Sequence, residues 1–148
     1  MSTYHSIFYH IVFATKYRQP SINRNHDVEL YKYIQGVIKN KRSTVYCING
    51  IEDHIHIMSA IHPAISLSNF VKDIKVASCT WLKTNANFPL FNGWQDGYGA
   101  FTYSIREKHM IVNYIKNQKE HHKAENSTCE FIRLLIENGI AFDEKFLL

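Results

Sequence analysis

At 148 residues, with 45% hydrophobic and 14% aromatic content, the chain is long enough to bury one core and too short for two well-stabilised ones, which excludes disordered and fibrous classes. A formal charge of +4, from 17 Lys+Arg against 13 Asp+Glu, suits a polyanionic partner without requiring one. Three cysteines with no C-x-x-C spacing argue against a disulfide framework or a cysteine zinc site, and His5 and His10 interrupt the apolar N-terminus, so an intracellular protein without secretion signal or membrane span is expected.

The segment "SIFYHIVFATKYR" has β-branched and aromatic residues on both alternate faces, Ile7, Tyr9, Ile11 and Phe13 against Phe8, Val12 and Ala14, which predicts a central strand covered on both sides. In "HDVELYKYIQGVIKNKR" the steps between Val28, Tyr31, Ile34 and Ile38 predict a helix. Asn49-Gly50 is a pair suited to a tight turn, so Thr44 to Ile48 and Ile51 to Ala60 are expected to form a hairpin with a bulge near Glu52. After Pro63, Leu67, Phe70, Val71, Ile74, Ser78, Trp81 and Leu82 lie on one stripe of a second helix. The stretch "NFPLFNGWQDGYGAFTYS" begins as loop and ends as strand, Tyr98, Ala100 and Thr102 alternating with Gly99, Phe101 and Tyr103. Ser104-Ile105-Arg106-Glu107 reads as a capping box opening a third helix from about Ile105 to beyond His122. A last helix, about Thr128 to Asn138, stops at Gly139.

The order strand, helix, strand, strand, helix, strand and two further helices predicts a single α+β domain over residues 1–148. Its expected form is a ferredoxin-like split βαβ with a four-stranded antiparallel sheet and additional C-terminal helices. Such a fold by itself decides no function.

On a strand, His54 and His56 emerge on one face while Ile55 and Ile57 enter the other, so the two imidazoles can share a divalent ion. The plain alternative is a half-exposed strand that happens to show two of the chain's nine histidines. On the third helix, Met110, Ile111, Tyr114, Ile115, Gln118 and His122 share a stripe, which sets Tyr114 and Gln118 one turn apart. Tyr114 is then either core or, beside a metal that grips a phosphodiester, a nucleophile, with the Gln118 carbonyl oxygen as third ligand. His121-His122 reads as a solvated helix end that could add to such a site.

Four blocks in this order, "YHIVFATKYR", "DHIHIM", "WQDGYGAFTYS" and "VNYIKNQKEHH", resemble the HUH-type single-tyrosine transposases, insertion-sequence-200-like, which include the REP-associated tyrosine transposases. The likeness extends over nearly the whole chain. It implies that His54, His56 and Gln118 bind Mg²⁺ or Mn²⁺ and that Tyr114, on the first of the C-terminal helices, forms a 5′-phosphotyrosine intermediate. It further implies single-stranded DNA hairpins at element ends as partner, a homodimer with composite active sites, and a cytoplasmic, DNA-associated setting in a bacterial or archaeal cell. Lys72, Lys75, Arg106, Lys116 and Lys119 are candidate contacts to DNA phosphates, with solvation of helix surfaces as their alternative. Trp94, Tyr98, Phe101 and Tyr103 either stack on unpaired bases or fill the core.

Three rivals stand beside this reading. A non-transposing HUH nuclease would keep the chemistry alone. A non-catalytic single-stranded nucleic-acid-binding module needs basic and aromatic residues but no nucleophile. An H-x-H-x-H hydrolase lacks its third histidine, because Met58 stands there.

Overall fold

The computed structural model describes residues 2–147. Its sheet contains β1 (Tyr9–Ala14), β2 (Thr44–Ile51), β3 (His54–Ala60) and β4 (Gly99–Phe101) in the order β2-β3-β1-β4. Every neighbouring pair is antiparallel, which is the ferredoxin-like arrangement expected. Helices α1 (Asp27–Asn40) and α2 (Leu67–Lys83) cover one face, while α3 (Lys108–Lys116), α4 (Gln118–His121) and α5 (Ser127–Glu137) follow the last strand. Among the described residues no helix is long and apolar enough to cross a membrane.

Period-two alternation divides the two faces. Ile11, Phe13, Ile55 and Ile57 join Leu30, Ile34, Phe70 and Ile74 in the main core beneath α1 and α2. On the opposite face Phe8, Cys47 and Met58 pack with Ile115 of α3, and Val12 and Phe101 pack with Leu134 and Leu135 of α5. The two histidines of β3 fall on this second face, between those two small clusters. As expected of a central strand, β1 is buried on both sides.

Several boundaries differ from the sequence reading. The hairpin turns at Glu52-Asp53, because pairing continues to Ile51 opposite His54, and the bulge lies between Val45 and Cys47. That extra residue lets Val45 and Ile48 share the main-core face while Cys47 faces α3. Asn49 and Gly50 serve the strand instead. The Asn49 side chain donates to the Lys116 carbonyl at 2.9 Å and accepts from Lys119 Nζ at 2.9 Å. A Cβ on Gly50 would lie 2.1 Å from the His54 carbonyl oxygen, so only glycine permits the approach.

In α1 the buried stripe is Asp27, Leu30, Tyr31, Ile34 and Ile38, and Val28 is exposed. Strand β4 is shorter than predicted. The Ser104 hydroxyl and amide both donate to Glu107 Oε1, so the box closes from one side only and regular helix begins at Lys108. The third helix is interrupted at Asn117 (φ −96°, ψ 18°), and Met110 is exposed rather than on the inner stripe. The last helix matches its prediction to within a residue at each end: Asn126 caps it through the Cys129 amide at 2.8 Å, and Gly139 takes φ 68° after it.

Candidate metal and nucleophile site

The strand pleat and two helices bring four of the predicted residues together. His54 and His56 are fully buried on β3, and their Nε2 atoms stand 3.1 Å apart. Gln118, also fully buried at the start of α4, places Oε1 3.2 Å from His54 Nε2. Tyr114, half-buried one turn earlier on α3, holds its ring centroid 6.1 Å from that of His56. The tyrosine therefore faces the histidines of its own chain.

Three further residues complete the cluster: Glu130 and Arg133, which the sequence does not assign to it, and His122, which shares the stripe of Tyr114 and Gln118. Glu130 of α5, 1% exposed, sets Oε1 2.9 Å from His56 Nε2 and 3.1 Å from His54 Nε2, and its Oε2 accepts from Gln118 Nε2 at 3.0 Å and from the Tyr114 hydroxyl. His122 turns inward, its Nε2 2.9 Å from Gln118 Oε1 and 3.1 Å from Glu130 Oε1, and His121 is part-exposed and pairs with Glu125 at 2.7 Å rather than ending the helix in solvent. Arg133 donates to the Tyr114 oxygen at 2.8 Å and is itself held by Glu125 and Glu137. A signal for Glu130 was present: it lies three residues after Ser127 and four before Leu134, on the buried stripe of α5, where an ionised side chain needs a partner.

The outer nitrogens are equally well held. His54 Nδ1 donates to Asp53 Oδ1 at 2.7 Å, and the other Asp53 oxygen accepts from Ser127 at 2.9 Å. His56 Nδ1 meets Nε2 of the fully buried His10 at 2.7 Å. Each Nε2 is thereby aimed inward, the orientation that metal-binding histidines take from such partners.

Electrostatics follow from burial and pairing. Burial alone would lower the His54 pKa, but its contacts with Asp53 and Glu130 outweigh that and raise it to about 9. Burial lowers His56 to about 4 against the pull of Glu130, and lowers His10 as well. Burial would raise Glu130, yet hydrogen bonds from His122, His54 and His56 hold it well below the usual carboxylate range. Tyr114 is raised, by burial first and then by donation to Glu130, with Arg133 opposing. In the metal-free centre the Glu130 carboxylate thus favours the charged form of His54, and burial favours the neutral form of His56.

The candidate DNA contacts lie apart from this cluster. Lys72 and Lys75 sit on α2, across the sheet from the histidines, and Lys75 Nζ is engaged by the Gln95 and Gly97 carbonyls. Lys119 pairs with Asp27 at 2.7 Å, which ties α4 to α1, while Arg106 and Lys116 are exposed. Of the four aromatics, Phe101 is buried, Trp94 packs on Phe13 and Phe91, Tyr103 lies beside His10, and Tyr98 is exposed.

A family model described as "Transposase IS200 like" matches residues 3–118. Two solved structures share the fold. One, a candidate transposase of Deinococcus radiodurans, is 24% identical with TM-score 0.59, covering 80% of this chain and 95% of its own. The other, a REP-associated tyrosine transposase bound to a REP hairpin, is 16% identical with TM-score 0.62, covering 82% of this chain and 74% of its own. No curated protein sequence matches the chain.

Proposed function

The chain belongs to the family of IS200-like transposases, and from that premise we propose that it is a metal-dependent enzyme of single-stranded DNA, cleaving and rejoining strands at element ends through a 5′-phosphotyrosine on Tyr114. One observation carries this reading: within one chain the Tyr114 hydroxyl and the inward atoms of His54, His56 and Gln118 all meet the single carboxylate of Glu130.

Two imidazole nitrogens and an amide oxygen, with both outer nitrogens already engaged, fit a divalent ion such as Mg²⁺ or Mn²⁺. Bound there, the ion would withdraw charge from the non-bridging oxygens of a scissile phosphodiester. The remaining work falls to side chains. Tyr114 Oη forms a bond to phosphorus as the bond to the 3′-oxygen breaks, and its phenolic proton is released to solvent while Glu130 holds the hydroxyl in place through the hydrogen bond it accepts. The departing 3′-oxygen takes a proton from solvent and becomes a free hydroxyl. Arg133, 2.8 Å from the phenolic oxygen, offsets negative charge on it both when it attacks and when it leaves. Rejoining reverses the exchange, a 3′-hydroxyl displacing Tyr114, so the phosphodiester count is conserved and no nucleotide cofactor is consumed.

The substrate is a DNA hairpin, in keeping with the fold shared with a hairpin-bound transposase. Arg106 and Lys116, exposed near the ends of α3, are its proposed phosphate contacts, with Lys72 on the far face as a further one. The protein acts as a cytoplasmic homodimer with composite active sites, and within a single chain Tyr114 faces its own His56.

Incubation with hairpin-bearing single-stranded DNA and Mn²⁺, followed by a denaturing gel, tests the reading. Wild type is expected to give a covalent adduct that chelator abolishes, and Tyr114→Phe none. Tight binding with no adduct from wild type would instead establish a non-catalytic binding module.

A further inference from the structure

The segment that matches the family ends at residue 118, yet two side chains beyond it enter the centre. We propose that His122 and Glu130 are themselves metal ligands, so that the centre holds its ion with three imidazoles, an amide oxygen and a carboxylate and selects a nitrogen-preferring transition-metal dication over Mg²⁺. This rests on the reading that His54, His56 and Gln118 bind an ion.

Three observations carry it. Ligand atoms of His54, His56, His122 and Glu130 all lie within 4.8 Å of one another. The closest approaches, 2.9 to 3.2 Å among these atoms and Gln118 Oε1, match the edge of about 3 Å that bonds of about 2.1 Å set between adjacent positions of an octahedron. Second, His122 is oriented as the other two are: its Nδ1 is engaged by the Glu125 carbonyl, which leaves Nε2 facing inward. Third, four imidazoles, those of His54, His56, His121 and His122, stand as ion-pair partners of Glu130, with Arg18 near enough to act on it electrostatically. A buried carboxylate ringed by imidazoles is the charge balance that a dication completes.

The metal preference follows from the donors. Mg²⁺ favours oxygen ligands and retains several waters, whereas imidazole suits Mn²⁺, Fe²⁺, Co²⁺, Ni²⁺ and Zn²⁺. A site with three imidazoles and little room for water therefore disfavours Mg²⁺. The same carboxylate would touch the ion through Oε1 and Tyr114 through Oε2, linking α5 to both partners of the reaction.

Equilibrium dialysis with Mn²⁺ and Co²⁺, joined to the visible spectrum of the Co²⁺ form, tests this on the whole chain. Wild type, Glu130→Gln, His122→Gln and His56→Ala are compared, each checked for folding by circular dichroism, with His122→Gln deciding the matter if Glu130→Gln does not fold. The expected result is at least tenfold weaker binding and an altered Co²⁺ band for both Glu130→Gln and His122→Gln, with millimolar Mg²⁺ failing to displace Mn²⁺. If both bind as wild type does while His56→Ala does not, the two are not ligands and the His54, His56, Gln118 site survives. If wild type binds no ion, or His56→Ala binds unchanged, both readings fall. Displacement of Mn²⁺ by equimolar Mg²⁺ overturns the selectivity.

Discussion

The hydroxyl of Tyr114 donates to Glu130, and the same oxygen accepts from Arg133, so the proposed nucleophile is held between a carboxylate that orients it and a guanidinium that can offset its charge. Arg133→Met keeps the aliphatic volume and removes the charge. In single-turnover assays it should slow adduct formation by about 10²-fold, the scale of losing one donor to a reacting oxygen, while Mn²⁺ affinity stays near that of wild type. An unchanged rate would make Arg133 a purely structural clamp for Glu125 and Glu137.

Metal affinity should depend on pH in a definite sense. His54 must lose its proton to ligate, and in the metal-free protein its pKa is raised to about 9. Below that value the proton competes with the ion, so apparent affinity should rise about tenfold per pH unit from pH 7 towards 9 and then level off, with about one proton released per ion. Calorimetry in buffers of different ionisation enthalpy measures the release. Binding with no proton release would show that His54 is neutral or does not ligate.

The site was only partly legible in the sequence. His54, His56, Tyr114 and Gln118 share periodic faces, and a period-two strand beside a helical stripe suffices to find such residues. His10 also lies on a face that alternation defines, that of Phe8 and Val12, but nothing local shows that His56 stands beside it on the neighbouring strand. His122 shares the stripe of Tyr114 and Gln118, whereas Glu130, although on the buried stripe of α5, meets the histidines only through the packing of α5 over β1 and β4, which no local pattern reveals. The hairpin turn lies beyond Asn49-Gly50 for a similar reason: the pair satisfies a turn, yet contacts from α3 and α4 put it to another use.

His10 makes no contact with Tyr114 beyond ring packing, but it fixes the outer nitrogen of His56. His10→Phe keeps an aromatic ring at that buried position and removes that partner. Mn²⁺ affinity should fall by about 10- to 100-fold, the usual cost of removing a partner behind a ligating histidine, with global stability reduced much less. Equilibrium dialysis and urea denaturation separate the two effects, and an unchanged affinity would remove His10 from the account.

Gly50→Ala probes the scaffold. Its Cβ would meet backbone of β3 at the His54 carbonyl, which cannot move independently of the strand. Destabilisation of about 1–3 kcal/mol is expected from such overpacking, read from urea denaturation, together with weaker Mn²⁺ binding because His54 is displaced. Wild-type stability would mean that the hairpin end is softer than its packing indicates.

The most direct measurement of the central claim is mass spectrometry of the peptide that carries DNA after reaction of wild type with a hairpin substrate and Mn²⁺. A nucleotide bonded through its 5′-phosphate to Tyr114 is the predicted product. Attachment to any other residue, or cleaved DNA with no protein-linked nucleotide at any time point, would contradict it.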